Sequence, residues 1–418
     1  LVLSAVHLHL GGKLSHVREK LKRKKTVAAD LPGEVVYWEI LTRLPIKSAV
    51  RFKCVSKSWL SQISSPKFAK RHLTCNATQN PSDYDRLIAQ KENKIVILSH
   101  YNETFALPFS CRGLVGSVRG LVCLSHDEKL SLWNPAIHQS KEFTLPPNCF
   151  DYIEYMGFGF DPVSNNFKVV LLSSDFRSAS VYNSDSDSWT NVFVPDNVHL
   201  LMKKERTFLT DSMTIVKDCP YWRFITFAKA PATDTTDTLT PTSLTPMKFD
   251  AGSNDFILLP EFHFDTSVRA ESDAFSFQLV DMNDHLTLIF YDQNSSNRML
   301  DIYSLKGEEG SCVWSRIYSI GPLDFHKRHW FVCQGFYGGE IVIEDNGMFS
   351  CFDQKRGTIK RLRTTVTTVT VTSLSCFRYT PSMFFLEGMK SVYLRTQTRR
   401  TTGLCSRVPR RLVDSFKN

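Results

Sequence analysis

The residue types that usually carry chemistry are widely scattered in this chain of 418 residues. His326 and His329 lie three residues apart, but no cysteine or carboxylate completes a zinc-ligand spacing beside them, so this segment indicates an exposed loop. The 11 cysteines include no Cys-x-x-Cys pair, which is typical of reduced thiols in a cytosolic or nuclear protein. We therefore predict no metal site and no cofactor.

One glycine-containing segment resembles a nucleotide-binding loop at first sight. It reads Gly157-Phe-Gly159-Phe-Asp161-Pro162, but it lacks the third glycine and the helical pattern that should follow. The Asp-Pro pair is instead typical of a strand that ends in a turn. The chain also lacks a Gly-x-Ser-x-Gly elbow, a phosphate-binding loop and a His-Glu-x-x-His motif. We predict no catalytic residue and do not expect an enzyme.

Composition and charge disfavour two further classes of partner. No uninterrupted apolar stretch approaches the roughly 18 residues of a membrane helix. The net charge of +9 lies at the two ends, with +5 in residues 1–30 and +6 in residues 395–418, which leaves −2 between them. A nucleic-acid-binding protein would instead carry its basic residues on a folded face, so neither nucleic acid nor a membrane is expected. Both ends are predicted to be basic, disordered tails, and nuclear-import signals at 22–25 and 399–411 are the alternative.

Residues 31–75 form the first segment with a regular pattern. Asp30 is expected to cap a helix that Pro45 ends, and apolar residues recur within it at four-residue spacing. Ser48 is expected to cap a second helix, which places on one face Ala49, Phe52, Val55 and Trp59. A third short helix is expected near Pro66. About 45 residues of this kind bury too little surface to be stable alone, so part of their apolar surface is predicted to meet a partner.

These residues resemble the F-box of plant F-box proteins, through Leu31-Pro32, Ile40-Leu41 with Leu44-Pro45, and the run from Arg51 to Trp59. In that family the F-box binds a Skp-type adaptor, which links it to a cullin–RING ubiquitin ligase. The resemblance implies that the following residues lie at or near the adaptor interface: Leu31, Pro32, Ile40, Leu41, Leu44, Pro45, Val50, Cys54, Val55, Lys57 and Trp59. The segment GEVVYWE is one residue longer than the family pattern. Because one residue turns a helix by about 100°, either the helix start shifts or a local bulge absorbs it.

From about residue 81 the pattern changes to short β-strands separated by turn residues. One unit recurs, in which a strand ending in an aromatic residue is followed by a polar turn and a second aromatic-bearing strand. The first aromatic residue of each copy is Trp133, Tyr182, Phe249, Tyr303 or Phe352, with a weaker copy at Tyr101. The intervals of 49, 67, 54 and 49 residues are typical of a kelch-type β-propeller blade. A Thr/Pro-rich surface loop predicted at 229–246 explains the long interval, and residues 81–394 allow about six blades.

Three phrases in this region resemble the F-box-associated domain of the same family. They are the segment from Gly116 to Leu124, in which Val118 and Arg119 depart from the family phrase, Leu132-Trp133-Asn134-Pro135, and the glycine-containing segment 157–162. The two halves of the chain thus resemble the same family independently.

The predicted fold is α+β and multidomain, with a small all-α three-helix F-box at 31–75 followed by an all-β kelch-like β-propeller at 81–394. The resemblance implies the substrate-recognition subunit of an SCF (Skp–cullin–F-box) ubiquitin ligase in the cytoplasm or nucleus. The propeller loops would then recruit an unknown target protein. Two alternatives stay open: a ligase-independent binding module, and a propeller sugar binder or enzyme with a vestigial F-box.

Overall fold

The computed structural model describes a helical module followed by a set of antiparallel sheets. The residues described are 33–79, 86–91, 94–99, 102–106, 111–146, 155–210, 213–228, 240–264, 275–292, 299–307, 311–320, 330–336, 340–345, 348–353, 358–361 and 376–392. Both predicted basic tails, the histidines at 326 and 329, and the interface residues Leu31 and Pro32 lie outside them.

The module begins with helix α1, which has three parts: an α-helical turn Gly33–Val35, a π-helix Val36–Ile40 and a 3-10 turn Leu41–Arg43. Helices α2, α3 and α4 follow at Ile46–Phe52, Lys57–Ile63 and Pro66–Gln79. Pro45 separates α1 from α2, as predicted, because proline disfavours helical backbone in the residue before it. Leu44 accordingly has an extended backbone, with φ −79° and ψ 151°.

The prediction of one second helix is wrong, since the chain turns between Phe52 and Lys57. Ser56 has an extended backbone there, and its Oγ accepts a hydrogen bond from the backbone N–H of Trp59 at 3.2 Å. Serine is more favourable as such an N-cap than inside a helix, which explains the break. Val55 therefore does not share a helix face with Ala49, and 49% of its surface is exposed.

The extra residue of the first helix is absorbed by a π-helical bulge. The backbone N–H of Leu41 donates to the carbonyl oxygen of Val36, five residues earlier, whereas an α-helix would use the residue four earlier. Such a turn holds one residue more than an α-helical turn. Leu41 is fully buried just after it, so the bulge keeps the end of α1 in the core.

The described strands outside the module form six antiparallel sheets, which we number as blades in chain order. Blade 1 contains β1 (Arg86–Lys91), β2 (Lys94–Ser99), β3 (Asn102–Ala106) and the late strand β26 (Cys376–Tyr379). Blade 2 contains β4 (Gly113–Val118), β5 (Leu121–Ser125), β6 (Lys129–Asn134), β7 (Gln139–Thr144) and β27 (Lys390–Ser391). Blade 3 contains β8 (Tyr155–Asp161), β9 (Asn166–Leu172), β10 (Ser178–Asn183) and β11 (Ser188–Phe193).

A fifth helix, α5 (Asp196–Lys203), joins blade 3 to blade 4. Blade 4 contains β12 (Thr207–Leu209), β13 (Thr214–Val216), β14 (Cys219–Phe227), β15 (Pro241–Asp250), β16 (Asp255–Leu258) and β17 (Phe262–His263). Blade 5 contains β18 (Phe275–Met282), β19 (His285–Asp292), β20 (Leu300–Lys306) and β21 (Val313–Ile320). Blade 6 contains β22 (Trp330–Phe336), β23 (Glu340–Asp345), β24 (Met348–Asp353) and β25 (Thr358–Arg361).

The predicted repeat corresponds to this arrangement. Its five aromatic residues lie on β6, β10, β15, β20 and β24, which are third in the hydrogen-bonded strand order of blades 2 to 6. Each of these strands pairs with the outer strand of its blade, and Trp133, Tyr182 and Phe249 are fully buried. The predicted loop at 229–246 was too long, because β15 already begins at Pro241. Residues 229–239 lie outside the described part of the chain.

Strand β26 completes blade 1 by pairing with β1, as in Phe377 opposite Ile88. This pairing joins a strand from the end of the propeller region to its first blade and so closes the ring. Two outer-strand tryptophans link neighbouring blades, since Trp189 Nε1 donates to Thr144 O at 3.0 Å and Trp314 Nε1 donates to Pro260 O at 2.8 Å. Long-range pairing and these side-chain bonds together hold the ring.

Candidate protein-interaction site

The predicted interface residues separate into three groups by exposure. Leu41 and Leu44 are buried in the core that the module shares with blades 1 to 3. The half-buried residues are Ile40, Val50 and Trp59, and the exposed ones are Pro45, Cys54, Val55 and Lys57. Any contact that Leu41 or Leu44 makes with a partner is therefore indirect, through the backbone that they anchor. The assignment of these residues to an adaptor interface stays a prediction.

Three aliphatic side chains of the module are unusually exposed, and we call them the aliphatic patch. They are Val35 on α1, Val55 in the turn before α3 and Leu60 on α3, with exposed fractions of 37%, 49% and 49%. Val35 and Leu60 are close in sequence to Tyr37 and Trp59, whose rings are in contact, and apolar side chains exposed together on one surface are typical of a binding site. Leu60 was absent from the sequence-based set, because the motif that identified its neighbours ends at Trp59.

Aromatic contacts hold α1 and α3 side by side beneath these exposed residues. The rings of Tyr37 and Trp59 lie 5.8 Å apart, and those of Phe52 and Trp59 lie 5.5 Å apart. Tyr37 Oη also lies 3.2 Å from Ser58 Oγ, within hydrogen-bond distance. These contacts fix the relative position of the helices that carry Val35 and Leu60.

Helix α4 supplies two buried polar side chains to the end of α1. His72 Nε2 lies 2.8 Å from Leu44 O, and Asn76 Nδ2 donates to Thr42 O at 2.7 Å and to His72 O at 2.9 Å. The two side chains are 0% and 1% exposed. Burial lowers the pKa of His72 to about 4, although its hydrogen bond to Leu44 O acts in the opposite direction. The ring is therefore neutral near pH 7, and Nε2 carries the proton that Leu44 O accepts.

Acidification is expected to destabilise the module through His72. In the unfolded chain a histidine takes up its proton near pH 6.5, whereas the folded ring does so only near pH 4, so stability is lost as the pH falls between these values. From pH 7 to pH 5 the expected loss is on the order of 2 kcal/mol. Urea unfolding at both pH values should show a smaller loss for His72→Gln than for the wild type. An equal loss in both would contradict this assignment.

The module rests on one face of the propeller, which we call the module face. Leu73, Thr74 and Ala77 of α4 line a cavity of about 480 Å³ together with the turns that follow β4 and β13. Lys47 on α2 also lies near the turn between β6 and β7. The pKa of His138 in that turn is lowered mainly by burial and to a smaller extent by the charge of Lys47. The module is thus held against the propeller through α2 and α4.

An ion pair crosses the module face between blades 2 and 4. Arg119 donates to Asp218 Oδ2 from both Nε and Nη2 at 2.7 Å, and its guanidinium lies 4.2 Å from the centre of the Phe160 ring. Arg119 and Gly120 form a turn with φ of +48° and +83°. The left-handed conformation is uncommon for arginine, and these contacts stabilise Arg119 in it.

A second cavity, of about 890 Å³, lies between blades 2 and 3 beside β27. Lys141 is buried there and pairs with Asp187 at 3.0 Å, and Asp187 also accepts a hydrogen bond from Tyr182 at 2.5 Å. These hydrogen bonds lower the pKa of Asp187, and burial together with the neighbouring carboxylate raises the pKa of Tyr182. The group links two blades, and we assign it a structural role.

The glycine-containing segment is a strand and a turn, as predicted. Strand β8 ends at Asp161, whose carboxylate accepts a hydrogen bond from the Val163 N–H at 2.8 Å. Gly157 lies against the ring of Trp222, where an added Cβ would come within 2.5 Å of a ring atom. Glycine at position 157 therefore permits blade 3 to pack closely against blade 4.

The described residues contain no cluster of three or more metal-ligating side chains. Within the same part of the chain no helix has the length and apolar character needed to cross a membrane.

Two family models match the chain. The model of the F-box domain matches residues 30–71, and the model of the F-box associated beta propeller domain matches residues 65–384. The first part of helix α4, residues 66–71, thus falls within both matches, and the rest of α4 falls within the second alone. The second model alone covers well over half of the chain.

Curated relatives agree with these matches. An F-box/kelch-repeat protein of Arabidopsis thaliana is 27% identical over 328 residues, which cover 72% of this chain and 82% of the relative. A putative F-box protein of the same plant is 35% identical over 179 residues, covering 39% of this chain and 59% of the relative. An F-box protein of that plant is 35% identical over 178 residues, with coverage of 38% and 43%.

Proposed function

We propose that this chain, which belongs to the family of F-box proteins with an F-box-associated β-propeller domain, is the substrate-recognition subunit of an SCF ubiquitin ligase. In this proposal the F-box binds a Skp-type adaptor, and the adaptor links the chain to the cullin–RING ligase in the cytoplasm or nucleus. The aliphatic patch carries the proposal. It leaves apolar surface exposed on a module whose other side already packs against the propeller.

The proposed mechanism is positioning. A propeller held firmly against the F-box presents its bound target at a fixed place relative to the adaptor. Holding two reactants together converts an encounter into an effectively intramolecular reaction, so the gain in rate comes from proximity. The chain needs no catalytic residue of its own for this role.

We infer that the target binds away from the module face. Phe160, next to the end of β8, lies at the module face beside Arg119. Because neighbouring strands of the blade are antiparallel, β9 runs away from this face and β10 runs back to it. Strand β11 then runs away again and ends at Phe193. Apolar side chains are exposed near that far end, namely Phe193 at 91%, Leu200 of α5 at 63% and Phe208 of β12 at 52%. Rigid scaffolds commonly bind partners through such connecting segments.

A reconstituted ligase would test this function. The full chain, a plant Skp-type adaptor and a cullin–RING core are added to plant extract, and the ubiquitinated proteins are identified. We expect a small set of proteins whose ubiquitination depends on this chain and is lost with Val55→Glu. An assembled complex that changes the ubiquitination of no protein would contradict a receptor role, and failure of the complex to assemble would favour the ligase-independent binding module.

A further inference from the structure

We propose that His72 and Asn76 are positioning residues for adaptor binding, because they fix the backbone that joins α1 to α2. This inference rests on the proposed function, since it concerns the same adaptor-binding surface. Neither residue belongs to the F-box motif that identified the interface, and both lie beyond residue 71, where the F-box match ends.

The backbone between α1 and α2 does not satisfy all of its carbonyl groups by helical hydrogen bonds. Leu44 and Pro45 are both extended, with ψ of 151° and 145°, so the helical hydrogen-bond pattern is interrupted there. Pro45 O accepts hydrogen bonds from the N–H groups of Ser48 and Ala49 and thereby starts α2. The carbonyl groups of Thr42 and Leu44 are left at the end of α1, where backbone acceptors need partners from elsewhere.

Helix α4 provides these partners from one face. His72 and Asn76 are four residues apart, so both side chains project from the same side of the helix. Phe68 and Ala69 precede them on α4 and are buried in the same core, and the Phe68 ring lies 5.9 Å from that of His72. Phe68 and Ala69 thus pack in the core, while His72 and Asn76 hold the carbonyl groups of Leu44 and Thr42.

Packing alone does not account for polar side chains at these two positions. A polar group that is 0–1% exposed is costly unless it forms hydrogen bonds, and an apolar residue of similar size would fill the same space without that cost. What His72 and Asn76 add is a fixed conformation at Leu44-Pro45. That conformation fixes the position of the exposed Pro45 ring. It also fixes the direction of α2, which leads to the turn that carries Val55.

The adjoining face of α4, about 100° around the helix, contacts the propeller. Leu73 and Ala77 line the cavity at the module face, one residue away from His72 and Asn76. The same helix therefore holds the proposed adaptor-binding turn with one face and contacts the propeller with the adjoining face. We infer that α4 sets the orientation of the proposed adaptor site relative to the propeller.

The test compares His72→Leu with His72→Gln in the full chain, together with Asn76→Leu. Glutamine can still donate a hydrogen bond to Leu44 O, whereas leucine cannot. An unpaired buried carbonyl should weaken adaptor binding by about tenfold or more in His72→Leu and Asn76→Leu, while His72→Gln should stay within about threefold of the wild type. Thr78→Ala is the matched control, because Thr78 is exposed on α4 and its hydroxyl bonds only to carbonyl groups of that helix.

Amide hydrogen exchange of the free chain gives a second readout that does not require the adaptor. In both leucine variants we expect faster exchange at residues 41–46, with unchanged exchange in the propeller strands. Unchanged exchange and affinity in His72→Leu would overturn the inference, as would equal weakening in His72→Leu and His72→Gln. If the wild type itself binds no adaptor, the proposed function fails, and the exchange data still decide whether His72 and Asn76 hold this turn.

Discussion

Replacing Val55 or Leu60 by glutamate is expected to abolish adaptor binding, with a loss in affinity of about 100-fold or more. Both side chains are half exposed in the free chain, so a carboxylate is tolerated there without a partner. In the complex the same carboxylate would be buried in an apolar interface without a counter-charge, which is strongly unfavourable. Titration of the adaptor against each variant by isothermal calorimetry measures the effect.

The matched control is Val163→Glu, which introduces the same charge at a side chain that is 93% exposed in the turn after β8. It should bind the adaptor like the wild type. All three variants should unfold at the wild-type temperature. If Val55→Glu and Leu60→Glu keep wild-type affinity, the aliphatic patch is not the adaptor site.

The second large effect is expected at Asn134, where replacement by alanine should destabilise the propeller by about 2–4 kcal/mol. Asn134 Nδ2 donates to Ser382 O at 3.2 Å and to Phe384 O at 2.8 Å, and its Oδ1 accepts from the Ala136 N–H at 3.0 Å. Because Asn134 is fully buried, the variant leaves these backbone groups without a partner. Urea unfolding followed by tryptophan fluorescence measures the change.

Asn197→Ala serves as the control for this prediction, because Asn197 is an exposed asparagine in the first turn of α5. Its unfolding free energy should stay within about 0.5 kcal/mol of the wild type. A similarly small change in Asn134→Ala would mean that the segment 382–384 is held to blade 2 by other contacts.

The sequence predicted the features that depend on local chemistry. The spacing of the aromatic residues predicted the repeating blade, and the five residues lie at corresponding positions of blades 2 to 6. Pro45 marked the end of α1, and the extra residue in α1 predicted either a shifted helix start or a bulge, of which the π-helix is the second. Each of these predictions follows from the residues adjacent in the chain.

The features that the sequence did not predict depend on distant contacts. Asn134 was noticed only as part of a family phrase, since its partners lie about 250 residues away. The burial of Leu41 and Leu44 and the roles of His72 and Asn76 depend on how α4 packs, which helical periodicity does not specify. The break at Ser56 was missed because its apolar neighbours also fit a continuous helix.

The most direct test of the central claim is the binding of the full chain to a plant Skp-type adaptor, measured by size-exclusion chromatography with light scattering. The account predicts a complex of one chain with one adaptor for the wild type and for Val163→Glu, and none for Leu60→Glu. A wild-type chain that elutes alone, with its propeller folded by circular dichroism, would contradict the assignment of a ligase receptor.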